Sequence, residues 1–345
     1  MSERAPSGGT SSVPPSIGLL NLTTGKWVSQ ALYVAAKLGI ADLLREGPTQ
    51  CDELARANQV DGLSLYRVLR ALASVGVFTE VSDRTFALTP MAEYLRSDIP
   101  GSLRALAMLG GEEPWWQAWG DIWRSVKTGE PAVERLFGMG TFDYLPEHPG
   151  VSAIFDEAMT GASTLSAAAI ARAYDFTGIE TLVDVGGGHG LLLTTILKAH
   201  PHLRGILYDA PHVIEGASQR IELAGLADRC EAVGGNFFES VPSGADAYLL
   251  CHIIHDWDDP RSLKILNQCH RAMGRSGRLL IAESVIPAGN DPNYAKFLDL
   301  EMLVMAGGRE RTEAEYRDLL DQAGFQLARV VPTLSSTSVV EGVPA

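Results

Sequence analysis

The sequence predicts an α/β protein: a doubly wound parallel sheet ending in an antiparallel hairpin, preceded by an α-rich unit. Three observations carry this. From Thr181 onward, short apolar runs alternate with helical spacing, which is βαβ order. Before about residue 100 the order is helix, helix, helix, hairpin. Between the two, Thr181-Leu182-Val183-Asp184-Val185 runs through Gly186-Gly187-Gly188-His189-Gly190 into Leu191-Leu192-Leu193, a strand that turns on glycines into a helix. A chain of 345 residues suggests two domains, and 46% hydrophobic against 20% charged residues supports a sizeable core.

The elements follow in order. Residues 1–16 are rich in Ser, Gly and Pro and read as a disordered lead-in without the apolar core of a signal peptide. No apolar run reaches 18 residues, so a cytoplasmic protein is expected. From Leu19 to Leu43 apolar residues recur at helical spacing, ending near Gly39. A second helix spans Asp52 to Ala57. A third places Leu65, Val68, Leu69, Leu72 and Val75 on one face and stops at Gly76. Val77 to Val81, the turn Ser82-Asp83-Arg84, and Thr85 to Leu88 read as a hairpin. Thr89-Pro90 opens a short helix, with Thr as its cap.

That order, over residues 17–100, is a winged-helix pattern, and two uses of it compete. DNA binding needs a basic surface. Residues 51–100 hold five Arg against seven Asp plus Glu, and the whole chain carries a net charge of −14. Nucleic acid and anionic membranes are therefore disfavoured as partners, and dimer contacts are the favoured role. Residues 101–175 read as helical, a linker or lid, with Trp115, Trp116, Trp119 and Trp123 close together. Phe142-Asp143-Tyr144, Phe155 and Met159 either face a flat aromatic ligand or simply pack; both readings stand.

Residues 176–345 form the α/β domain. Strands read at Thr181–Val185, Gly205–Tyr208, Cys230–Val233, Ala247–Ile253 and Arg278–Ser284, with a helix from Pro260 to Met273. Phe325–Val331 and Ser336–Val340 supply the hairpin. Ligands of such sheets bind beyond the carboxyl ends of the strands, where Asp184, Asp209, Asn236 and His255 fall. The glycine loop fails the dinucleotide fingerprint, because counting from Gly186 puts Leu191 where the third glycine belongs. It reads instead Asp184-x-Gly186-x-Gly188-x-Gly190; a plain tight turn with no ligand is the competing reading. Asp209 closes the second strand, where a carboxylate can accept from ribose hydroxyls. Gly235-Asn236-Phe237-Phe238 closes the third, offering an amide and a ring to an adenine. Cys251-His252-x-x-His255 and Cys269-His270 imitate zinc ligands, but a strand there would scatter the side chains, so no metal is expected.

Together Val183-Asp184-Val185-Gly186-Gly187-Gly188, Asp209-Ala210-Pro211, Gly235-Asn236-Phe237-Phe238, His255-Asp256-Trp257 and Gly307-Gly308-Arg309-Glu310-Arg311-Thr312 resemble the S-adenosylmethionine (SAM) dependent O-methyltransferases of the caffeate/hydroxyindole type. The resemblance runs from about residue 17 to the end. It implies a Rossmann-like SAM domain, a homodimer through the first domain, and an aromatic acceptor from secondary metabolism, including antibiotic biosynthesis. It places the general base on His255 and its supporting carboxylates on Glu283 and Glu310. Cofactor contacts carry over to Ser163, Gly186, Gly188, Asp209, Gly235, Asn236, Phe237, Cys251 and His252. Substrate contacts carry over to Phe155, Met159, Asp299 and Met302. The first helices, near Leu19 to Trp27, would close the pocket of the other subunit.

Two positions depart from the family pattern. Asn236 stands where many relatives have Asp, and Cys251 where plant relatives have a cofactor-contacting Lys. Asn keeps an acceptor without the charge, which implies binding with altered affinity. The expected reaction is phenolic O-methylation. The alternatives are a repurposed SAM-binding relative performing hydroxylation or rearrangement, and a ligand-sensing winged-helix regulator.

Overall fold

Why the N-terminal helices stop where they do sets the first unit. The structure, a computed structural model, describes residues 13–345. The expected lead-in of residues 1–16 lies outside the described residues up to 12, and a helix has begun by Pro15, with proline in its first turn. The single helical run expected from Leu19 to Leu43 is three helices, Pro15–Thr23, Gly25–Lys37 and Ile40–Leu43. Thr24 turns its hydroxyl back onto the Leu20 carbonyl, and Gly39 adopts the left-handed conformation between the second and third. Helices Cys51–Asn58 and Gly62–Ser74 follow; the Asp61 side chain caps the latter by accepting the Ser64 N–H.

The hairpin forms as expected from Phe78–Ser82 and Thr85–Leu88, and Thr49–Gln50 adds a third antiparallel strand that the sequence did not advertise. Thr89 caps as expected, accepting the Ala92 N–H, but the helix is a single 3-10 turn, Ala92–Leu95. Leu54, Leu69, Leu72, Phe78 and Phe86 form the core of this unit, which takes the chain up to Ile99 together with Ala107–Gly111.

Pro100–Leu106 and Glu112–Ala345 form the second unit. Much of the stretch expected as a separate linker therefore belongs with the sheet. The sheet has seven strands: β1 Thr181–Val185, β2 Arg204–Asp209, β3 Cys230–Gly234, β4 Ala247–Cys251, β5 Arg278–Glu283, β6 Phe325–Pro332 and β7 Ser338–Pro344. Their spatial order is β6-β7-β5-β4-β1-β2-β3. The first five are parallel, and β7 inserts antiparallel between β5 and β6. Alternation along each strand feeds two cores: Leu182, Leu207, Leu249 and Leu280 on one face, Val183, Tyr208, Tyr248 and Leu279 on the other.

One boundary differs from expectation, and one turn was not anticipated, both in ways that matter for the site. β4 stops at Cys251 instead of Ile253, because His252 takes φ +54 and the chain turns into a 3-10 segment, Ile254–Asp256. The helix Ala295–Glu301 continues into a π-helical turn, Met302–Ala306, which Thr141 braces by donating its hydroxyl to the Met305 carbonyl.

Candidate active site

The chain past β4 is held by side chains from far along the sequence. Leaving the strand early frees the N–H groups of Ile253, Ile254 and His255, and all three are donated to Glu283 Oε1, at 3.1, 2.6 and 3.2 Å. Glu283 ends β5 and is fully buried; its Oε2 accepts the Tyr316 hydroxyl. The carbonyls of the same turn are held by Arg311, a buried guanidinium that donates to Ile254 O and Trp257 O and pairs with Asp259 at 2.8 Å. Glycine at 308 is dictated by contact: a Cβ there would sit 2.0 Å from the His255 carbonyl oxygen.

Within this frame His255 Nδ1 and Glu310 Oε1 share a hydrogen bond of 2.6 Å, with both side chains buried. Asp299 accepts the Glu310 backbone N–H at 3.0 Å, so the carboxylate is itself oriented. Burial alone would lower the His255 pKa, but Asp256, Glu310 and Glu283 outweigh it and hold it well above the ordinary histidine value. His252 goes the other way. Burial and then the His255 charge push it down to about 3, which keeps it neutral with its ring 5.2 Å from that of His255.

The glycine loop occupies the neighbouring strand end. Gly188 has φ +58 with open space where a Cβ would be, so conformation and not crowding demands glycine there. Its N–H is donated to Asp209 Oδ2 at 2.8 Å, and Asp209 Oδ1 accepts from Ala210. A Cβ on Gly186 would meet Ile253 and Phe237, which brings the ends of β1, β3 and β4 together. Beneath the loop, Asp184 is fully buried without a full hydrogen bond. Burial and the Asp209 charge push its pKa up to about 7.

An aromatic wall joins the helical segment to these loops. Phe155 lies 6.0 Å from Trp115 and 6.4 Å from Phe142; Phe142 stacks on Trp257 at 6.3 Å, and Trp257 meets Phe238 at 4.9 Å. Phe155, Met159 and Ser163 recur at i, i+4 and i+8 on the helix Pro149–Ala173 and so share a face. Among the described residues, no group of three or more His, Cys, Asp or Glu side chains is arranged to hold a metal ion, and no helix is long and apolar enough to cross a membrane.

This geometry matches known proteins. The O-methyltransferase domain family matches residues 119–326, and the O-methyltransferase dimerisation domain family matches residues 20–98. The chain belongs to the O-methyltransferase family. It is similar to a phenazine O-methyltransferase of Lysobacter antibioticus, 48% identical over 332 residues, covering 96% of this chain and 97% of that one. It is also similar to a phenazine-1-carboxylate N-methyltransferase of Pseudomonas aeruginosa, at 34% identity over 93% of this chain and 95% of that one. A crystal structure of an O-methyltransferase from neocarzinostatin biosynthesis, in complex with SAM and 2-hydroxy-5-methyl naphthoic acid, superposes with a TM-score of 0.77. It shares 35% identity and covers 92% of this chain and 96% of that one. The protein is thus a SAM-dependent methyltransferase with relatives in secondary metabolism.

The residues of the methyltransferase fit such a cofactor. The glycine loop lies open at Gly188, Asp209 has lone pairs left beyond its two backbone bonds, and the Phe237 ring lies against Gly186. Three of the expected residues make contacts that the sequence did not predict. Glu283 supports His255 through the backbone of the turn and not through the ring. Asn236 spends its amide locally, donating to Glu239 Oε1 and accepting the Phe238 N–H. Gly235 lies against the Tyr208 ring, where any side chain would collide. Met302 is buried on the π-helical turn, and Cys251 carries a thiol whose pKa burial drives up.

Sequence reasoning missed Arg311 and Glu301. Arg311 sits inside a motif noted only for its glutamate, and the Asp258-Asp259 pair was the available signal. Glu301 accepts the indole N–H groups of Trp115 at 2.8 Å and Trp119 at 2.5 Å, a bridge that nothing local announces.

Proposed function

We propose that the chain transfers a methyl group from SAM to a phenolic hydroxyl of a flat aromatic small molecule in secondary metabolism, with His255 as general base, and works as a homodimer through residues 17–100. The observation that carries this is the buried His255–Glu310 bond of 2.6 Å beside the aromatic wall. A phenol with pKa about 10 is roughly 0.1% ionised at pH 7, an ionisation cost of about 4 kcal/mol. A base positioned to take that proton supplies ~10²–10⁴-fold. An aromatic amine attacks as the neutral nitrogen and needs no such base, so the pair favours oxygen.

When bound, SAM supplies an electrophilic methyl on a cationic sulfur. In its neutral form, which grows as pH rises, His255 accepts the phenolic proton at Nε2, while Glu310 holds Nδ1–H and stabilises the imidazolium. Phe155, Met159, Asp299 and Met302 line the acceptor. Ser163, Gly186, Gly188, Asp209, Gly235, Asn236, Phe237, Cys251 and His252 line the cofactor, Asn236 through its turn. The homodimer is supported by the dimerisation-family match and by the helix Pro15–Thr23, which is apolar and buries none of its residues.

The N-methyltransferase relative favours a second reading, methylation of a ring or exocyclic nitrogen. One assay separates them: release of S-adenosylhomocysteine from SAM with hydroxylated phenazines and naphthoates, each beside its amino counterpart. Turnover of the phenols alone supports the proposal. Turnover of the amines alone replaces it with the second reading, and SAM binding with no S-adenosylhomocysteine released with either set points to the repurposed chemistry.

A further inference from the structure

Tyr316 lies in the helix Glu313–Gln322, started by a capping box between Thr312 and Glu315, and its side chain is fully buried. A phenylalanine would fill that space. The hydroxyl is spent on one partner, Glu283 Oε2, whose other oxygen gathers the N–H groups of residues 253–255. Without the tyrosine, Oε2 would be a buried anionic oxygen lacking this donor, a costly arrangement.

We propose that Tyr316 is a positioning residue for His255: its hydroxyl, acting through the Glu283 carboxylate, fixes the turn that carries the imidazole. This rests on His255 being the base. Around His255 stand Glu310, Asp256 and Glu283 and the neutral His252; around Tyr316 stand Glu283, Glu310 and Arg311. Removing the hydroxyl unties Glu283 Oε2, so the carboxylate is no longer held under the turn; a carboxylate that shifts away from His255 raises the imidazole's proton affinity less. The turn also loosens.

The test is Tyr316→Phe with ¹⁵N-histidine labelling, the His255 signal being assigned by its loss in His255→Ala. The His255 titration is expected to move down by about half to one pH unit, with S-adenosylhomocysteine affinity within about twofold and plateau turnover of a hydroxylated phenazine down about five- to tenfold. An unmoved titration overturns the proposal, including where thermal stability falls, since a tyrosine that only fills the core predicts that pattern. If Tyr316→Phe does not fold, Tyr316→Met, which lacks the hydroxyl and adapts to an irregular core space, must show the same downward movement; an unmoved His255 there also overturns it. The titration needs no acceptor, so failure of the methylation reading shows separately, as absent turnover by the unsubstituted enzyme.

Discussion

The carboxyl edge of the sheet has two halves built on opposite plans. At β1 and β2 the glycine loop is short-range: Asp184 to Asp209 contains the turn, the left-handed glycines and the carboxylate that accepts the Gly188 N–H. At β4 and β5 the turn carrying His255 is held by Glu283, Glu310 and Arg311, each at least 28 residues away in sequence. The first half is shaped by backbone and leaves groups open for a ligand. The second is braced by buried charge, which fixes an imidazole and sets its proton affinity. On the proposed roles, cofactor holding and base chemistry should be separable by mutation.

The largest break should come from His255→Ala. Turnover of a phenolic acceptor should fall by ~10²–10⁴-fold, while calorimetric binding of S-adenosylhomocysteine stays within about threefold because the glycine loop is untouched. Activity retained at the level of the unsubstituted enzyme would remove His255 from the mechanism.

Asp184 tests the other half, through stability. Its folded pKa, about 7, lies above the ordinary 3.8. Between those values the unfolded chain has released the proton and the folded chain has not, so raising pH favours unfolding. The group therefore costs stability progressively from about pH 4 to pH 7, at most about 4 kcal/mol. Asp184→Asn should gain on the unsubstituted protein as pH rises through that window in urea denaturation. A gap that is constant with pH means the carboxyl is not perturbed.

The same contrast explains what the sequence disclosed. The Asp184–Gly190 loop, its strand and the helix Leu191–Ala199 were legible because periodicity and turn chemistry are local. So was the terminal hairpin, though Ser338–Pro344 starts two residues later and runs four further than its apolar pattern suggested. His255 was legible from its place at a strand end, its role and Glu310 came from the resemblance, and their pairing needs a fold to bring residues 55 apart into contact. The end of β4 was misjudged because Ile253 and Ile254 continue the apolar run; Glu283, 28 residues or more onward, collects their N–H groups and turns the chain. No window of sequence around Trp115 or Glu301 records their contact across 186 residues.

Glu310→Gln probes how the second half sets acidity. Loss of that charge removes one of the groups holding His255 above the ordinary value, so the imidazole gives up its proton at lower pH. Because the base must be deprotonated, the rising limb of turnover against pH should move to lower pH, while plateau turnover drops about ten- to fiftyfold as the ring loses its ionic partner. A limb that stays in place would mean that Asp256 and Glu283 alone set the field.

The smallest expected effect is Gly188→Ala, which returns to the loop. Nothing lies within 4 Å of a Cβ there, so the substitution meets no clash, and its cost comes from φ +58 alone. An L-residue in that region costs about 1–2 kcal/mol. The loop can escape the cost by relaxing, at the expense of the Gly188 N–H bond to Asp209. Either route should weaken S-adenosylhomocysteine about five- to thirtyfold by calorimetry, because the loop and Asp209 are what the cofactor is proposed to meet. Turnover at saturating SAM should stay within about threefold, and the pH limb should not move, because the hydrogen bonds from Glu283, Glu310 and Arg311 that brace the His255 turn do not pass through the loop. A shifted limb in Gly188→Ala would show that the two halves are coupled after all.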